Sequence, residues 1–100
     1  MSIYIKIHSS YRTVIALCDA NILGKKFEEG KLQLDIRENF YRGEKIDENE
    51  LIEIMQEQAK EDATFNIAGE KAIAAALKAK IIDGGCIGSV QGIPFALKLL

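Results

Sequence analysis

The sequence predicts an α+β fold: a two-layer sandwich with a mostly antiparallel sheet of about five strands and two helices on one face. Three observations predict it. Ile3, Ile5 and Ile7 alternate with Tyr4, Lys6 and His8, the two-residue period of a strand with one buried side. Two later segments, Asp47 to about Lys60 and Gly69 to Ile82, carry apolar stripes at helical spacing. The chain has 100 residues, enough for one core, so residues 1–100 read as a single domain.

The elements follow in order. Ile3 to His8 is the opening strand, and Ser9-Ser10-Tyr11 reads as a hairpin turn. Thr13 to Cys18 is apolar on both faces, which suits a more central strand. Asp19 is placed to cap a helical turn ending near Leu23, and Gly24 to Gly30 reads as a charged connection. Leu32, Leu34 and Ile36 alternate with Lys31, Gln33 and Asp35, a half-wet strand. Asn39 to Gly43 reads as a turn with at least one aromatic tucked under the domain.

Asp47 opens the first long helix. Glu50 stands three residues on, an Asp-type capping box, and Ile46 and Leu51 flank it as a hydrophobic staple. Leu51, Ile52, Met55 and Ala59 form its inner stripe. Glu61 to Phe65 reads as the link to the second helix. That helix takes Asn66 as N-cap, Ile73, Leu77 and Ile81 as its stripe, and Gly84 as the left-handed stop. Its alanines read as close packing on the sheet, with Ala74 and Ala75 as an alternative partner-facing surface. Cys86 to Val90 and Phe95 to Leu99 are the closing strands, with Phe95, Leu97 and Leu99 expected inward and Ala96 and Lys98 outward.

Composition narrows the function classes. Apolar residues make up 48% and charged residues 28%, the balance of a soluble globular chain. The net charge of −2 argues against coating nucleic acid by charge alone. The charge is uneven, since residues 37–62 hold nine carboxylates against four cations. No apolar run approaches membrane length, and the chain starts directly in a strand pattern, so no membrane association and a cytoplasmic location are expected. Cys18 and Cys86 read as buried small hydrophobes. With one His in the chain they make no metal set, and neither metal nor cofactor is expected.

No motif names a reaction, so the reading leans away from an enzyme. His8 is the one imidazole, and Asp83 to Ser89 lacks the Lys-Ser/Thr ending of a phosphate loop. The open sheet face is the first candidate surface. It is expected to carry Tyr4, Lys6, His8, Lys31 and Lys98 with Gln33 and Asp35, extended by Arg12, Lys25 and Lys26, as a stacking ring among phosphate contacts. A second candidate is Asn66, Gly69, Glu70 and Lys71 at a helix start, with the Gly84–Ser89 loop, for an anion or small ligand. The acidic helix 47–60 is a third, for a protein partner.

The opening strand pair with Cys18-Asp19, then Leu23-Gly24-Lys25-Lys26-Phe27 and Phe40-Tyr41, resembles the archaeal domain-of-unknown-function family 424. So do Asn66-Ile67-Ala68-Gly69-Glu70-Lys71-Ala72 and Gly92-Ile93-Pro94, and together these pieces span nearly the whole chain. The resemblance implies a compact two-layer domain in an archaeal cytoplasm and assigns no activity. In the family pattern a His often follows the late Pro, where this chain has Phe95. Together these readings lead to a non-enzymatic accessory factor of translation, associated with the ribosome or another RNA–protein complex. A ligand-binding domain, possible enzyme included, and a protein-interaction module are the alternatives.

Overall fold

A computed structural model describes residues 2–9 and 11–99, so Ser10 of the expected turn lies outside the described residues. In chain order the elements are β1 (Ile3–His8), β2 (Val14–Asp19), β3 (Lys26–Glu29), β4 (Leu32–Asp35), α1 (Glu38–Tyr41) and β5 (Glu44–Ile46). They continue with α2 (Glu48–Lys60), β6 (Thr64–Ala68), α3 (Glu70–Lys78), β7 (Ile87–Val90) and β8 (Ile93–Lys98). The fold is α+β. Six strands form the main sheet in the order β5-β1-β2-β6-β8-β7. Neighbours run antiparallel except β2 and β6, which are parallel and central.

Helices α2 and α3 cover one face. Ile3, Ile5, Ile15, Leu17, Phe65 and Ile67 of the sheet meet Leu51, Met55, Ala72, Ile73, Ala75 and Ala76 of the helices in one buried cluster. The expected cap of α2 is present: the Glu50 amide donates to Asp47 Oδ1 at 2.9 Å. Ile46 and Leu51 of the staple are both buried.

Thr64–Ala68 is a strand and not a linker, and Asn66 lies inside it. The run is buried on both faces except at Asn66, as a central strand should be. The helix after it is shorter than its stripe suggests. α3 stops at Lys78 because Lys80 takes φ 63 and closes it, with Ile81 N donating to Ala76 O at 3.0 Å and Lys80 N to Leu77 O at 3.1 Å. Gly84 therefore does not stop the helix. Leu77 is 39% exposed, and the buried stripe is Ala72, Ile73, Ala75, Ala76 and Ala79. Ala75 is a core contact and not a partner-facing residue.

The largest correction concerns the other face of the sheet, which is not open. β3 and β4 pair with each other and leave the main sheet. With α1 they lie over Ala16, Cys18 and Ala68, burying Ile22, Ile36 and Tyr41 there, with Phe27, Leu34, Phe40 and Tyr4 packed alongside. The tucked aromatic is Tyr41. Strand β8 also turns over relative to expectation: Ala96 is buried in the helix-side core, while Leu97 is 52% and Leu99 61% exposed. Ala96 stands opposite Ile67 and Ile87 in the row beneath the helices, where a small side chain lets α3 approach.

Candidate functional site

Parallel strands β2 and β6 end together, at Asp19 and Ala68, and α3 begins immediately beyond. Asp19 was expected to cap the short turn after β2, but its side chain makes no bond there. It is 5% exposed and reaches across about 50 residues of chain to α3. Oδ2 accepts from Lys71 N at 3.0 Å and Oδ1 from Ala72 N at 2.8 Å. Asp19 thus performs the capping role expected of Asn66. Gly69 makes this possible. Its φ is 106, and a Cβ there would meet Asp19 Oδ1 at 2.6 Å. Its amide donates to Pro94 O at 2.9 Å, tying β8 to the same junction.

The helix start expected to receive an anion therefore already holds a carboxylate of the chain itself. Glu70 is exposed beside it, and Asn66 lies on the opposite face of β6 from Phe65 and Ile67. Gly84–Cys86 forms a short turn whose first amides are served locally, Gly85 N donating to Asp83 Oδ1 at 2.9 Å. Cys86 is exposed, contrary to expectation, because it sits at this turn before β7 begins.

Residues of the expected RNA-binding face are dispersed. Tyr4, Lys6 and His8 do share one side of β1, but α1 lies against that side. Lys6 Nζ donates to Asn39 O at 2.7 Å. His8 stacks on Phe40 with centroids 4.6 Å apart, and its Nε2–H donates to Phe40 O at 2.8 Å. Tyr4 is half-buried, with Lys45 Nζ 5.4 Å from its ring centroid. Lys26 is on the β3–β4 hairpin, Lys25 just before it and Lys31 at its tip, all exposed. Lys98 lies on the helix side of β8, across from Phe65. Burial pushes the Cys18 thiol up to about 12, with the Asp19 charge adding to it, so Cys18 stays protonated at neutral pH. Among the described residues no group of three or more His, Cys, Asp or Glu is placed to hold a metal ion.

Of the expected cations Arg12 lies apart, at the β1–β2 turn, next to residues that the sequence reading did not single out as a site. Tyr11 is fully exposed, beside exposed Arg12. The two line a depression of about 310 Å³ with Thr13, Glu61 and Asp62. Thr64 N donates to Thr13 O at 3.0 Å, which fixes this turn to the start of β6. The register Phe65–Lys98 brings exposed Leu97 and Leu99 to the same end of the sheet. An aromatic, a cation and two aliphatic side chains thus share one end of the molecule. The only sequence signal for this was a large aromatic in a turn, where no core contact is required.

The model of proteins of unknown function DUF424 matches residues 7–99. The chain belongs to the DUF424 family. It is also similar to the crystal structure of an uncharacterized conserved protein from Methanopyrus kandleri, at 25% identity and a TM-score of 0.87, covering 97% of this chain and 90% of that one. No curated protein matches it. Family and neighbour together mark an archaeal DUF424 protein of unknown function, as the resemblance implied. Among the described residues no helix is long and apolar enough to cross a membrane.

Proposed function

We propose that this DUF424 protein is a non-enzymatic docking factor for an RNA–protein assembly, with the ribosome as the first candidate and translation as its setting. The observation that carries this reading is the fully exposed Tyr11 ring beside Arg12, at the same end as exposed Leu97 and Leu99. A ring suits base stacking, a guanidinium suits a phosphate, and leucines suit an apolar protein patch. A surface combining all three fits a partner made of RNA and protein together better than either alone. Glu61 and Asp62 beside the turn limit how far a phosphate backbone runs along it.

The test is a sucrose gradient of lysate from the native host, at low and at high salt, blotted for the protein. Comigration with a ribosomal particle that weakens with salt is expected. A Tyr11→Ala variant should move to the top of the gradient while keeping the parent melting temperature. Migration of the parent only as a free small protein would overturn the reading.

A further inference from the structure

Lys80 occupies the left-handed position that ends α3, at φ 63, where glycine is the usual residue. Its side chain and that of Lys98 line two adjoining depressions of about 330 and 290 Å³. Ile81 belongs to both, Leu77 and Ile82 wall the first, and Phe65 floors the second. Among the described residues neither lysine has an ion-pair partner. The nearest carboxylate in the wall is Asp83, whose Oδ1 already accepts from Gly85 N at 2.9 Å and faces Cys86 Sγ at 3.7 Å. Lys80 and Lys98 therefore both line one concave site with an apolar edge, and Lys80 stands on a backbone that glycine would suit better. That cost is understandable if the side chain has work to do.

We propose that this cleft binds a small organic phosphate monoester. The phosphate lies between Lys80 and Lys98, and the organic part rests on Leu77, Ile81 and Ile82. Two point charges match a dianion, and the size and apolar wall fit a small ligand. A polyanion fits less well. Glu53 and Glu57 border the adjoining groove next to Lys80 and interrupt any continuous phosphate track. The cleft shares Leu99 with the docking end but neither Tyr11 nor Arg12, so Tyr11→Ala, which leaves the cleft's lining intact, separates the two roles.

The experiment is an NMR titration of labelled protein with phenyl phosphate, with phenol, inorganic phosphate and a short oligouridylate as parallel probes. Phenyl phosphate should shift the amides of residues 79–82 and 97–99 saturably, and phenol should not. Inorganic phosphate should bind the same amides more weakly. Lys80→Gly should keep the fold, melt at a higher temperature because glycine suits the backbone, and bind phenyl phosphate at least about fivefold more weakly. Lys98→Ala should weaken binding similarly. Undiminished binding by Lys80→Gly, or shifts spread evenly over all surface lysines, would overturn the proposal. Tighter binding of the oligouridylate at the same amides would overturn it in favour of RNA.

Discussion

The two faces of the main sheet are packed by opposite rules. On the helix face the sheet supplies the bulk: Ile15, Leu17, Phe65 and Ile67 are all fully buried. Of the two helices that meet them, α3 supplies alanines at 72, 75 and 76 beside Ile73, while α2 adds Leu51 and Met55 at the margin of that contact. On the other face the sheet supplies small residues, Ala16, Cys18 and Ala68. There the cover supplies the bulk, from Ile22, Ile36, Tyr41, Phe27 and Leu34. Gly88 on β7 is small for a different reason: the ring of Phe95 on the neighbouring strand β8 lies over it. Both arrangements fill space to similar density, but they differ in what the backbone requires. An alanine helix approaches a strand closely as a rigid body. A hairpin with a one-turn helix needs shallow ground, because most of its contacts are made by side chains.

The comparison predicts opposite responses to changes in size. Phe65→Ala removes the largest fully buried side chain of the helix face and should cost about 3–5 kcal/mol in a denaturant melt. Ala16→Leu adds bulk on the hairpin face and should cost about 1–3 kcal/mol by overpacking. If Ala16→Leu were neutral, the hairpin would ride on the sheet without close contact, and the contrast between the faces would fail.

The Asp19–Gly69 junction joins the two systems, since β2 carries Cys18 toward the hairpin and Asp19 toward α3. Asp19→Ala leaves the buried amides of Lys71 and Ala72 without their acceptor and should cost about 2–3 kcal/mol. Asp19→Asn, which keeps one oxygen, should cost less. Gly69→Ala should be at least as damaging as Asp19→Ala, because the new Cβ displaces the carboxylate and strains the backbone. Equal stability of Gly69→Ala and the parent would remove this junction from the account of the fold.

A smaller effect separates the faces by pH. The hairpin face buries two ionisable groups in its core, Cys18 and Tyr41. Burial raises Cys18 from 9.0 to about 12, aided by Asp19. Burial also raises Tyr41 from 10.0 to about 12, aided by Cys18 and Asp35. Below the lower values both states keep their protons. As pH rises above about 9 the unfolded chain releases protons that the folded chain holds, so stability falls with pH. Urea melts from about pH 8 to pH 10.5 should show this decline, and Cys18→Ala should flatten its lower part. Iodoacetamide at about pH 8 should alkylate exposed Cys86 and spare Cys18 until the protein unfolds.

How far the sequence could be read follows from the range of the interactions. Strand β1, strand β2 and the capped helix α2 were legible because their signals lie within a few residues, as Asp47 and Glu50 do. The β3–β4 hairpin was not. Leu32, Leu34 and Ile36 alternate with polar residues as a main-sheet strand would, and only long-range pairing decides which sheet a strand joins. Asn66 misled because Asn before Gly-Glu imitates a helix start, while the true capping carboxylate comes from Asp19. In β8 the heavier residues Phe95, Leu97 and Leu99 suggested the inward set. The helix layer required the small one, Ala96, and size alone gave no warning of that. Of the candidate site, the cations were visible in sequence. Their dispersal by the folded-over hairpin, and the convergence of Lys80 with Lys98, depended on contacts no local pattern encodes.

Leu77 tests the alanine rule at its margin. By its four-residue spacing it belongs with Ile73 and Ile81, and a buried leucine there would cost about 2–5 kcal/mol to truncate. In the fold it is 39% exposed, on the far side of the stripe formed by Ala72, Ala75, Ala76 and Ala79. Leu77→Ala should therefore cost no more than about 1 kcal/mol, because part of the transfer term is lost and solvent fills the space. Ile73→Ala, on the same helix but 5% exposed, should cost clearly more in the same melts. If the two substitutions cost the same, α3 would be seated on the sheet through a wider face than its alanines define, and the close approach that distinguishes this side would not depend on them.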